Sequence, residues 1–146
     1  ASVDSEGKGK ITKYNTDSFY GAVDNLYTLQ PGDDAATANW GGAARMPTDN
    51  EWVELYNHCS STWMTMNGVI GRCLTGPNGH SLFLPAAGCR WDDELDDVGH
   101  NGSYWSSCLL FPRLAGSFDF ESDDYNMVLP SERYYGQSVR AVRSPR

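Results

Sequence analysis

Residues 45–59 read RMPTDNEWVELYNHC. Thr48 and Glu51 stand at the spacing by which a hydroxyl before a helix and a carboxylate three residues on satisfy each other's free backbone donors. Behind them Trp52, Leu55, Tyr56 and Cys59 fall at i, i+3, i+4 and i+7, which makes one apolar stripe. A helix is therefore predicted here, and its stripe requires another layer to pack against. Just upstream, Asp33 and Asp34 precede Ala35, Ala36 and Ala38, acidic charge at the positive end of a short alanine-rich helix that stops at Gly41-Gly42.

Downstream the signals change from helix to strand. The segment STWMTMNGVIGRCLTGPNGHSLFLPAAG (61–88) holds two Asn-Gly pairs, Asn67-Gly68 and Asn78-Gly79, between short β-prone runs, and predicts consecutive hairpins of an antiparallel meander. CRWDDELDDVGHNGSYW (89–105) is acidic and rich in turn formers, and reads as a long surface loop. Strands are expected again in SYWSS, GSFDFES and GQSVRAV, each partly alternating. Within SSCLLFPR (106–113) a polar pair leads into bulky apolar residues with neither period, so packing and exposure are both open there.

The chain has 146 residues, 40% of them hydrophobic and 12% aromatic, which fits one globular core. Residues 1–12 are expected to be a flexible arm, because ASVDSEGKGK cannot bury enough area to order itself, and 13–146 a single domain. Nineteen acidic against eleven basic residues give a net charge of -8, which disfavours nucleic acid and anionic lipid as partners. No apolar run is long enough to insert directly into a membrane.

Chemistry-bearing motifs are sparse. Cys59, Cys73, Cys89 and Cys108 form no C-x-x-C pair, and are compatible with disulfides or with buried free thiols. His58, His80 and His100 belong to no catalytic pattern and read as surface residues. The acidic run Asp92, Asp93, Glu94, Asp96 and Asp97 lacks the spacing of a calcium loop and reads as solvated. Asp123-Asp124 reads as a turn before Tyr125. Of the tryptophans, Trp52 and Trp63 are expected in the core, whereas Trp91 in the acidic segment is left as a binding candidate.

NWGGAARMPTDNEW (39–52) and GQSVRAV (136–142) resemble the Fibrobacter succinogenes major paralogous domain, a family of secreted and surface proteins of Bacteroidetes and relatives, and of some phages. Between Lys13 and Val142 the matching blocks also include KYNTDS, DDAATANWGG, TGPNG, FLPAAG, YWSS and RYYGQSVRAV. The family is similar in turn to formylglycine-generating, sulfatase-modifying domains and to variable proteins diversified by retroelements. The resemblance implies an α+β, C-type-lectin-like fold, with two helices flanking a small twisted antiparallel β-sheet with long loops. The cysteine pair of the enzyme branch is absent near the C-terminus, as are the calcium motifs E-P-N, Q-P-D and W-N-D, so neither an enzyme, a cofactor nor a metal is expected.

The implied function is a non-enzymatic ligand-binding domain of a bacterial surface or phage adhesin, a variable protein whose C-terminal loops meet a protein or glycan on another cell or particle. Its location would be extracellular, on a cell surface or on a virion. The alternative is a structural module of a larger secreted or surface protein. Tyr104 to Ser107 and Arg133 to Arg140 match the family as framework, while Leu109 to Leu114 and Val128 to Ser131 depart from it with large apolar residues. Ligand contacts are therefore expected at Leu110, Phe111, Arg113 and Leu114, and at Tyr125, Val128, Leu129 and Ser131. Ser103, Ser117, Asp119 and Tyr135 beside them, with Trp91, complete the expected set. An exposed apolar patch rimmed by Arg113, Asp119, Asp123 and Asp124 would suit a protein partner; packing under a neighbouring loop is the competing reading.

Overall fold

The computed structural model describes residues 10–123 and 125–143, with the backbone alone at 125–127. A 3-10 turn (Ser18–Tyr20) comes first, then α1 (Ala35–Trp40), β1 (Ala44–Arg45) and α2 (Asp49–His58). There follow β2 (Ser60–Met66), β3 (Val69–Thr75), β4 (Ser81–Pro85), β5 (Cys89–Trp91) and β6 (Glu94–Asp96). The long strands β7 (Asn101–Phe111), β8 (Leu114–Glu121) and β9 (Tyr125–Glu132) come next, and β10 (Val142–Arg143) closes the order.

This architecture corrects the expected α+β arrangement of two helices about one sheet. Among the described residues the chain is mostly β, 45% in strands, spread over four small sheets. Their orders are β1-β10, β2-β3-β4, β5-β6 and β7-β8-β9. Backbone pairing in the polar segments made the difference. The acidic stretch 89–105, expected to be a loop, forms the β5–β6 hairpin and the start of β7, because its carboxylates project from the ladder and leave the backbone free to pair. Leu109 to Leu114, expected to be loop, continue β7 through to a tight turn at Pro112-Arg113.

The local expectations at residues 33–85 describe what forms. Thr48 and Glu51 complete a capping box on α2, and Asp34 caps α1 by accepting from the N–H groups of Ala36 and Thr37. The second oxygen of Asp34 accepts from the Met46 N–H at 2.8 Å, so one buried carboxylate fixes α1 against the entry to α2. Asn67 and Gly68 both have positive φ, as a two-residue hairpin turn requires, and join β2 to β3 in full register.

Trp52 from α2 stacks on Phe118 of β8 at 4.8 Å, and this pair centres the main core with Leu74, Leu84, Ala86, Tyr104 and Phe120. A smaller core, which periodicity does not reveal, joins Tyr14 to Leu109 and Ala115 with Leu26, Leu29 and Trp105 around them. The irregular segment before α1 thus has a packing role. Asn15 and Asp24 shape it by bonding backbone groups within residues 14–26.

Single bridges join the β5 edge to β7 and tie both to the segment after β9. Gly88 pairs with Gly102, Arg90 with Gly136 and Tyr104 with Ser138. The first of these needs two glycines: a Cβ on Gly102 would lie 2.1 Å from the Phe120 ring, and one on Gly88 1.9 Å from the Asp96 carbonyl oxygen. Two arginines serve as clamps. Buried Arg72 donates to the carbonyls of Glu121 and Ser122, tying the end of β8 to β3. Arg133 donates to the carbonyls of Lys13, Tyr14 and Pro112.

Candidate functional site

Strand alternation decides which residues share a face. Phe118, Phe120, Tyr104 and Gly102 of the β7–β8 ladder turn toward the main core, so their neighbours Ser117, Asp119, Ser103 and Trp105 turn to the other side. The bridges carry this outer face sideways. Tyr104 and Ser138 share the core side, which puts Gln137 and Tyr135 on the outer one; Arg90 opposes Gly136, which puts Cys89 and Trp91 there also. Across β5 and β6, Glu94 lies opposite Trp91 and Asp96 opposite Cys89. On β9, Leu129 lies opposite Ser117 and Ser131 opposite Ala115. The segment before α1 covers the part of this face around Leu109 and Ala115, and the part around Asp119 and Trp91 is the candidate site.

Its centre is polar and tightly held. Ser103 and Ser117 are buried and Asp119 is half-buried. The Ser103 hydroxyl donates to Asn101 Oδ1 at 2.9 Å. The Ser117 hydroxyl lies 3.0 Å from Asp119 Oδ1 and also meets Gln137 Oε1. With one proton it donates to one of these at a time. Burial holds the Asp119 carboxyl above its ordinary value, an effect that the Ser103 and Ser117 hydroxyls partly offset. Among the described residues no ion pair reaches it. Burial also pushes the Cys89 thiol up, helped by the negative charges of Asp97, Asp96 and Asp119, which marks this end of the face as anionic. All four cysteines are free thiols.

Its rim is aromatic. The Trp91 ring is 53% exposed and lies 6.1 Å from Tyr135 at an interplanar angle of 59°. Tyr134, also exposed, meets Tyr135 edge-on at 4.9 Å and 74°.

Trp91, Ser103, Ser117, Asp119, Leu129, Ser131 and Tyr135 therefore share one side of the joined strands. Val128 does not: it lies opposite Phe118 and packs against the main core, which corrects its place among the expected ligand contacts. Leu110, Phe111, Arg113 and Leu114 gather at the far end of β7 and β8, where Phe111 and Arg113 are exposed and Leu110 and Leu114 are half-buried. There Arg113 Nε stands 3.7 Å from Glu132 Oε2, which has no hydrogen bond. A shallow apolar crevice runs from Leu110 and Phe111 to Tyr14, Leu26 and Tyr27. The Tyr125 side chain, Asp124, Arg146 and most of the expected arm lie outside the described residues.

Sequence reasoning missed Gln137, Tyr134 and Glu94, the first two because a framework match hid them and the third because its segment read as loop. The bridge between Arg90 and Gly136 brings the segment of Tyr134 and Gln137 beside β5, the β5–β6 ladder sets Glu94 opposite Trp91, and no sequence period carries that information. Among the described residues no three His, Cys, Asp or Glu side chains converge as a metal set would, and no helix is long and apolar enough to cross a membrane.

Comparison of the chain with protein-family models, with curated proteins and with solved structures returned no match.

Proposed function

We propose that this chain is a non-enzymatic ligand-binding domain of a bacterial surface or phage adhesin, which recognises a protein or glycan on another cell or particle. The reading rests on one observation: half-buried Asp119, with no ion pair among the described residues, shares an outer face with the exposed ring of Trp91 and with Tyr135. A strand that serves packing alone gains stability from apolar residues on its covered side. Here the positions beside Trp105 are hydroxyls and a carboxylate instead, groups that fix the orientation of a ligand, while the rim rings supply contact area. The proposed mechanism is noncovalent: aromatic anchoring at Trp91, Tyr134 and Tyr135, and polar contacts from Asp119 and Gln137.

The test is adhesion. Fluorescent tetramers of the domain are applied to a panel of bacterial cells and to immobilised glycans, alongside a Trp91→Ala, Tyr134→Ala double variant that melts at the same temperature. Retention by the wild type, lost in the variant, is expected. Equal retention of both would move recognition off this face, and no retention on any surface would favour the structural-module reading.

A further inference from the structure

The rim has a geometry of its own. A flat sugar ring stacks best on a flat platform, but Trp91, Tyr135 and Tyr134 are inclined to one another by 59° and 74°. Their planes form an open corner rather than a shelf. A positive charge needs no flat platform, because the exposed face of a single ring carries the negative end of its quadrupole.

The charges beside the corner have the matching sign. Glu94 lies directly opposite Trp91 in the β5–β6 ladder, and Asp96 opposite Cys89. Asp119 lies on the same face two strand spacings from Cys89, about 10 Å away. The nearest basic residue in sequence, Arg90, alternates to the other side of β5 and donates its guanidinium to the Asp93 carbonyl at 3.2 Å. Arg113 is at the opposite end of β8, paired with Glu132.

Building on the reading of this face as a binding face, we propose that the group it takes is an organic cation: a lysine or arginine side chain of a protein ligand, seated in the Trp91–Tyr135 corner with Glu94 and Asp96 as its counter-charges. A cation in the corner needs no rearrangement of the strands, since Trp91 is exposed and the three β6 residues are open to solvent. The partner class is thereby narrowed from a protein or glycan to a basic protein surface, which also suits the net charge of -8.

Titration of the full domain with small probes tests this, read from the Trp91 indole N–H and the Gly136 amide in ¹H–¹⁵N spectra. The probes are tetramethylammonium chloride, N-acetyl-lysine methylamide and methyl α-mannoside, with sodium chloride at matched ionic strength as the control. Saturable shifts with both cationic probes and none with sodium chloride are expected, abolished in Trp91→Ala and weakened roughly two- to five-fold in Glu94→Gln. Both positions are exposed, and an unchanged melting temperature shows that each variant is folded. Shifts with the mannoside but not with the cations would overturn the cation and leave the binding face standing, with a glycan ligand. No shift at either reporter with any probe would overturn the cation inference alone, because the adhesion assay reads the binding face independently.

Discussion

Ser103 and Asp119 stand directly opposite one another across β7 and β8, on the side turned away from the Trp52–Phe118 stack. The position places a carboxylate among hydroxyls inside a β-ladder, where hydrophobic burial would stabilise the chain more. That disadvantage can be measured. Burial holds the Asp119 carboxyl above its unfolded value. Its ionisation therefore opposes folding: the penalty is absent below the unfolded pKa of about 4, and fully present once the pH exceeds the folded value. Asp119→Asn is expected to raise the melting temperature at neutral pH by a few degrees and to leave it unchanged near pH ~3. Thermal denaturation at the two pH values checks this, and a lower melting temperature at neutral pH would show that the Ser103 and Ser117 hydroxyl bonds outweigh the burial of the carboxylate.

The capping box of α2 has the opposite dependence. Arg45 grips both oxygens of Glu51 at 2.7 and 2.6 Å and, with the Thr48 N–H, lowers its carboxyl from 4.5 to about 2. A depressed folded value contributes stability above the unfolded pKa, and the contribution is lost as pH falls from about 5 toward about 2. The two side chains are 34% and 35% exposed, so solvent screening reduces their contribution to about 1–2 kcal/mol. Glu51→Gln is expected to lose that amount at neutral pH and to flatten the acid limb of a stability-against-pH curve. An unchanged limb would assign acid sensitivity to other carboxylates.

At the far end of β7 neighbouring residues diverge. Leu109 is buried in the smaller core, whereas Phe111 is 63% exposed. Leu109→Ala is expected to cost about 2–4 kcal/mol through the cavity it leaves. Phe111→Ala and Arg113→Ala are expected to stay within about 0.5 kcal/mol. Urea unfolding of the three variants separates them, and equal losses at Leu109 and Phe111 would show that the hairpin tip is packed.

What could be read from the sequence was whatever a few neighbouring residues determine. Thr48 and Glu51 are three apart, Asn67 and Gly68 are adjacent, and each pair closes its own hydrogen-bonded unit, so α2 and the first hairpin were legible. The β5–β6 hairpin was not, because Asp92 to Asp97 look like a solvated run whether or not their backbone pairs. Leu109 to Phe111 misled for a related reason. They are apolar in a segment matched to loops, and two register shifts within β7 disturb the alternation that marks a strand. Of the site, residue types drew attention to Trp91, Ser103, Ser117, Asp119 and Tyr135. Their convergence depends on the bridges at Gly88, Arg90 and Tyr104, each linking positions at least fourteen residues apart. Val128 was grouped with Leu129 because both depart from the family pattern, yet adjacent strand residues face opposite ways, and Val128 takes the side of Phe118.

The segment that follows β9 touches the rest of the chain at widely separated places. Arg133 holds the carbonyls of Lys13 and Tyr14, Gly136 exchanges hydrogen bonds with Arg90, Ser138 lies between Ser103 and Trp105, and β10 pairs with β1. On the ribosome these partners emerge long before it does. Helix α2 and the β2–β4 meander can form as they appear, but the seams wait for residues 133–143 to leave the exit tunnel. Translation order therefore puts the aromatic corner after the elements it joins: Tyr135 reaches Trp91 only as residues 133–143 dock, so a chain stalled before them presents Trp91 without its partner ring.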